Sequence, residues 1–127
     1  MSTTAQYAAT PRAALGQVTA ANTARDGTGT LASIFTAGAS GSRVDDISIA
    51  ATGTVTAGVV RLFLFDGTVN RLWLEILVTA TTPSSTQAVW SYTLYNQALI
   101  LPTGYILKAS TNNAETFNIN VTRAGDF

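Results

Sequence analysis

Between Val59 and Val78 the chain reads VVRLFLFDGTVNRLWLEILV, two runs of aliphatic, aromatic and β-branched residues on either side of Asp66-Gly67. An Asp-Gly step between apolar runs is a strong turn signal, because glycine accepts positive φ without strain. The stretch is expected to form a β-hairpin. Register follows from side-chain pairing, since directly opposed residues share a face and a slip of a single residue reverses every side chain. A two-residue loop would set Leu62 against Arg71 and Arg61 against Leu72. A longer loop over residues 66–70 sets Arg61 against Glu75, Phe63 against Trp73, Leu64 against Leu72, Leu62 against Leu74 and Val60 against Ile76. One face is then wholly apolar (Val60, Leu62, Leu64, Leu72, Leu74, Ile76), as an inner wall requires. The other carries Arg61, Phe63, Phe65, Arg71, Trp73 and Glu75, which suits a surface covered either by the chain's own arm or second sheet or by another protein.

The same reading extends along the chain. From Gly29 onward, clusters of Gly, Asn, Asp, Pro and Ser separate short strand-like runs, the all-β signature. Strands are expected near residues 30–36, 43–52, 59–65, 71–79, 87–95, 105–110 and 116–123, with a further short one near 17–22. Alternation is clearest at the end, where Phe117, Ile119 and Val121 face inward and Asn118, Asn120 and Thr122 outward. Leu101-Pro102-Thr103-Gly104 is a turn that delivers Tyr105 into the next strand. The Ala- and Thr-rich first thirty residues lack periodicity. They read as an extended arm, a helix over 12–24 being opposed by Gly16, Val18 and Thr19. The expectation is an all-β, jelly-roll-like antiparallel sandwich of about seven to eight strands. Residues 1–29 form its N-terminal arm and residues 30–127 its β-sandwich domain.

Composition narrows function. The chain has no cysteine and no histidine. That removes disulfides, thiolate metal sites, cysteine nucleophiles and the commonest general base, and it argues against an enzyme. Seven basic residues balance seven acidic ones, so the electrostatic footprint of nucleic-acid binding is absent. No apolar run reaches the length of a membrane span, and MSTTAQYAATPR lacks the apolar middle of a secretory signal. A soluble protein without a membrane partner is expected. So low a charge density suits a subunit inside an assembly better than a free monomer.

Candidate chemistry is thin. Arg25-Asp26-Gly27-Thr28-Gly29 lacks the lysine and glycine spacing of a phosphate loop and reads as a turn. Asp45-Asp46 is an adjacent carboxylate pair, but on a regular strand its side chains point to opposite faces. The other carboxylates are scattered, and Asn120-Val121-Thr122 matches a glycosylation pattern without a secretory context. No catalytic residue, cofactor or metal site is expected. Trp73, Trp90, Tyr92, Tyr95 and Tyr105 are expected to fill core or subunit contacts, with a sugar platform as the rival reading.

The Ala/Thr-rich arm, the segment Asn22-Thr23-Ala24-Arg25-Asp26-Gly27-Thr28-Gly29, and a small Cys- and His-free sandwich containing Arg61-Leu62-Phe63-Leu64-Phe65-Asp66-Gly67 together resemble small structural proteins of tailed bacteriophages. More narrowly, the chain is similar to a capsid decoration, or cement, protein. The resemblance implies a virion protein, made in the host cytoplasm, that binds the outer capsid surface. It would bridge neighbouring copies of the major capsid protein, as a homo-oligomer and often a trimer. Its interface would draw on Tyr7, Arg12, Arg25 and Asp26 of the arm, and on Arg61, Phe63, Arg71, Trp73 and Glu75 of the sheet face. The alternative is a receptor- or carbohydrate-binding module of a phage tail or bacterial surface structure.

Overall fold

The structure, a computed structural model, describes residues 9–127. They form nine strands: β1 (Thr10–Val18), β2 (Ala32–Thr36), β3 (Ser42–Ala51), β4 (Gly58–Phe65), β5 (Asn70–Val78), β6 (Ser91–Leu94), β7 (Leu99–Leu101), β8 (Ile106–Thr111) and β9 (Phe117–Asp126). The first sheet has the order β1-β9-β3-β6, with β7 on the same side of β3 as β6, and the second has the order β2-β8-β4-β5. All ladders between these strands are antiparallel. This is jelly-roll connectivity: the chain folds as a long hairpin in which β1 meets β9, β2 meets β8, β3 meets β6 and β7, and β4 meets β5, and the doubled ribbon rolls into two sheets. The apolar faces meet in a core of Ile47, Ile49, Ile119 and Phe117 from the first sheet and Val60, Leu62, Leu107 and Phe35 from the second.

The hairpin forms with a corrected register. Val60, Arg61 and Leu62 pair with Ile76, Glu75 and Leu74, as their side chains demand, but Phe63 then pairs with Leu72 and Leu64 with Arg71. The loop is a residue shorter than expected, with β4 ending at Phe65 and β5 starting at Asn70. Asp66 Oδ1 accepts from the backbone N–H groups of Thr68 and Val69, and Gly67 takes φ 99°. The residue assigned to the loop appears instead as a bulge at Trp73. A bulge reverses the faces beyond it. Trp73 therefore packs against the core, whereas Leu72, expected inside, is exposed.

Residues 10–18, expected as part of an extended arm outside the sandwich, form its edge strand β1, paired with β9 from Thr10↔Asp126 to Val18↔Phe117. Their inward positions are Ala14 and Gly16, opposite Val121 and Ile119, while Leu15 points out. A side chain at Gly16 would collide with Ile34 Cδ1 of β2. The glycine that counted against a helix is what lets the two sheets close there. The strand expected at 87–95 is shorter, because Ser84 Oγ and its carbonyl hold a turn through Gln87. The strand near 105 starts at Ile106, after a turn in which Tyr105 N–H donates to Pro102 O and Gly104 takes φ 85°.

Candidate binding surfaces

The outer face of the second sheet carries Arg61 and Phe63, and it is the chain itself that covers them. Leaving β1, the segment up to β2 crosses this face as a strap. Asn22 holds it: its N–H donates to Thr111 O, its Nδ2 to Thr28 O and Thr30 O, and its Oδ1 accepts from Ala24 N–H. Gly27 O accepts from Asn70 Nδ2. Beneath the strap Arg61 is 2 % exposed and Phe63 fully buried. Arg61 donates to Asn22 O at 3.0 Å, to Glu75 Oε2 at 3.0 Å and to Asn112 Oδ1 at 3.2 Å. Arg25, on the strap, reaches the same Glu75 carboxylate at 2.9 Å and 3.0 Å. The hydrogen bond from Arg25, followed by those features that involve Arg61, holds the Glu75 carboxyl below its usual range against the opposing effect of burial.

The structure thus brings together Arg25, Arg61, Phe63 and Glu75 of the residues singled out by sequence, and gives the charged ones partners within the chain. Asp26 serves its own turn, accepting from Thr28 N–H and Oγ1, which lowers its pKa. Arg12 lies on the other sheet, where it pairs with Asp126 at 3.1 Å, donates to Thr36 O and stacks 4.1 Å over the Phe35 ring. Arg71 is exposed at the start of β5, apart from the cluster, and Trp73 faces inward. Tyr7 lies outside the described residues.

A second charged group sits on a line of irregularities across the first sheet. Registers shift between Arg12 and Ala14 on β1 and on either side of Asp46 on β3. On the far side of β3, residues 95–98 separate β6 from β7, with positive φ at Asn96 and Ala98. These shifts overturn the expectation that Asp45 and Asp46 point apart. Both face Arg123, at 3.7 Å and 3.0 Å, and Arg43 pairs with Asp45 at 3.0 Å. Asp46 also accepts from Asn96 N–H, and Arg123 and this contact hold its carboxyl below the usual range. The carboxylates are neutralised by arginines rather than open to a cation. Among the described residues no group of three or more His, Cys, Asp or Glu side chains could hold a metal ion, and no helix could cross a membrane.

The third surface was not singled out from sequence. β5 and β6 are the free edges of their sheets on one flank of the sandwich. Between them runs a groove of about 290 Å³ lined by Leu74, Glu75, Ile76, Leu77, Tyr92 and Leu94. Leu77 is 71 % exposed and Tyr92 48 %. The signal was present in the hairpin: pairing Leu77 with Val59 puts a large aliphatic on the face that otherwise carries Arg61 and Glu75. The tryptophans are occupied elsewhere. Trp73 and Trp90 pack against the core, Trp90 edge-on to Phe117 at 5.7 Å. Compared with known protein families and curated proteins, the chain matches none.

Proposed function

We propose that this chain is a non-enzymatic structural protein of a multi-subunit assembly, a decoration protein that attaches to the outside of a phage capsid and bridges its subunits. The observation that carries the reading is the open flank between β5 and β6. Unpaired strand edges beside an apolar groove form a template for an added strand, and soluble monomers normally blunt such edges with charge or cover them. An extended segment of the capsid subunit would add to β5 through main-chain hydrogen bonds and place alternate apolar side chains over Leu77 and Tyr92. Many copies, and a trimer in particular, would multiply a modest single contact into durable attachment. Jelly rolls serve capsids and lectins alike, so the fold alone does not choose between them. An aromatic sugar platform is less well supported, because Trp73 and Trp90 are packed on the core.

Cosedimentation with shells assembled from the cognate major capsid protein tests the proposal. The wild-type chain should pellet saturably with shells. Leu77→Arg, at an exposed position that leaves the core intact, should weaken binding by at least about tenfold without changing the circular dichroism spectrum or Tm. Failure of the wild-type chain to bind, or full binding by Leu77→Arg, overturns it.

A further inference from the structure

We propose that the outer face of the first sheet, above the Asp46–Arg123 line, is a binding face for a neutral oligosaccharide. Register defines it: Leu15 and Gln17 of β1 lie beside Asn120 and Asn118 of β9, Ser48 of β3 lies beside Asn120, and Thr93 of β6 lies beside Ser48. These residues alternate with the buried Ile47, Ile49, Ile119 and Val121, so they point away from the core. None is charged. The charged side chains of this sheet gather at the line of bulges and beyond it, where they pair with one another.

The chemistry selects the occupant. Gln17 Nε2 donates to Asn118 Oδ1 at 2.9 Å, whereas the amide of Asn120 and the hydroxyls of Ser48 and Thr93 make no side-chain hydrogen bond among the described residues. The face therefore presents donors and acceptors without net charge, which matches sugar hydroxyls and offers little to a phosphate, an acidic peptide or an anionic lipid. At its border Tyr95, just past β6, is 67 % exposed, and at the opposite edge Leu15 is 85 % exposed; both suit the apolar faces of sugar rings. Size argues against a protein partner. Four strands about 4.8 Å apart, over rows about 7 Å apart, present roughly 200–300 Å², far below the roughly 800 Å² per partner of a stable protein interface. That area accommodates a few sugar rings. The site is distinct from the β5/β6 groove and does not depend on shell attachment.

The test is a titration of the isotope-labelled full chain, followed by amide chemical shifts, with maltohexaose, cellohexaose and chitohexaose in turn. At least one should give saturable shifts centred on Ser48, Thr93, Asn118 and Asn120, with a Kd in the range of about 0.1–10 mM. Asn120→Ala and, separately, Ser48→Glu should each raise that Kd by about fivefold or more, with the remaining spectrum unchanged. Leu77→Arg should leave it unaltered. Absence of shifts with all three sugars overturns the proposal. So do shifts centred on the Tyr92 groove, or a Kd indifferent to both face substitutions.

Discussion

Arg61→Ala should separate a strap that is part of the fold from one that merely rests on it. Arg61 is 2 % exposed, and its guanidinium joins β4 to β5 through Glu75, to the strap through Asn22 O and to Asn112. Truncation removes buried stem methylenes, each contributing about 0.8 kcal/mol, or roughly 2 kcal/mol together. It also strips the strap carbonyl of its charged donor, at a cost of about 1–3 kcal/mol for a buried acceptor. A loss of roughly 3–5 kcal/mol is therefore expected, in the range for breaking a buried ionic network by removing one partner. Arg61→Met keeps most of the stem and should lose less, about 1–3 kcal/mol, mainly from the orphaned acceptors. Arg25→Ala removes the other guanidinium on Glu75, but that side chain is 62 % exposed and its loss should stay within about 1 kcal/mol. Urea unfolding followed by tryptophan fluorescence gives all three values. The order Ala, Met, then the Arg25 variant is the prediction. An Arg61→Ala midpoint equal to wild type would refute the view that the strap is part of the fold.

Gly27 takes φ 89°, and a Cβ there would stand 2.5 Å from Asn70 O. Gly27→Ala should therefore combine left-handed strain with a backbone collision and cost at least about 2 kcal/mol, whereas Gly67→Ala, equally left-handed but in open space, should cost less; paired urea curves compare them. The carboxyls of Asp26, Asp46, Asp66, Glu75 and Asp126 are all held below their usual range. A depressed folded-state pKa contributes stability above the unfolded value and loses it as pH falls through the folded one. With no histidine in the chain, Tm should thus be nearly flat from about pH 6 to 8 and decline below about pH 4; a Tm that rises on acidification would contradict this. If shell attachment rests on apolar burial and backbone pairing at the β5 edge, cosedimentation should persist to about 1 M salt, and release at moderate salt with the fold intact would count against that mode of binding.

Legibility in the sequence tracked how strongly local pattern and burial agreed. The β4–β5 pairing through Arg61 and Glu75, and the inward set Phe117, Ile119 and Val121, were readable because large apolar residues occupied every inward position. β1 was not, because its polarity is inverted: Ala14 and Gly16 face in, leaving space that Ile34 fills from β2, while Leu15 faces water. The need for small residues there arises from the neighbouring sheet and leaves no trace in the strand's own pattern. Bulges escaped for a related reason. At Trp73 the choice between an extra loop residue and an extra strand residue was decided by which side chain the core could accept, and the larger ring went in at the expense of Leu72.

The same inversion bears on function. A sequence that places Ala14 and Gly16 inside on β1 and leaves Leu15, Leu77, Tyr92 and Tyr95 outside gives up burial that a monomer would use, since each large apolar side chain moved from water to a core contributes about 1.5–3 kcal/mol. The charged residues show the opposite economy: Arg12, Arg25, Arg61 and Arg123 each have a carboxylate partner within the chain, so few are left to attract a partner by charge. The outward surfaces that carry little charge are the β5/β6 flank, mostly apolar, and the hydrogen-bonding β9 face. The interfaces predicted from sequence at Arg25, Arg61 and Glu75 have internal duties that any partner would have to displace, at the cost estimated above for Arg61. The uncharged surfaces can be occupied without unfolding anything. That difference in cost is the reason to look for partners at Leu77 and Asn120 before the strap.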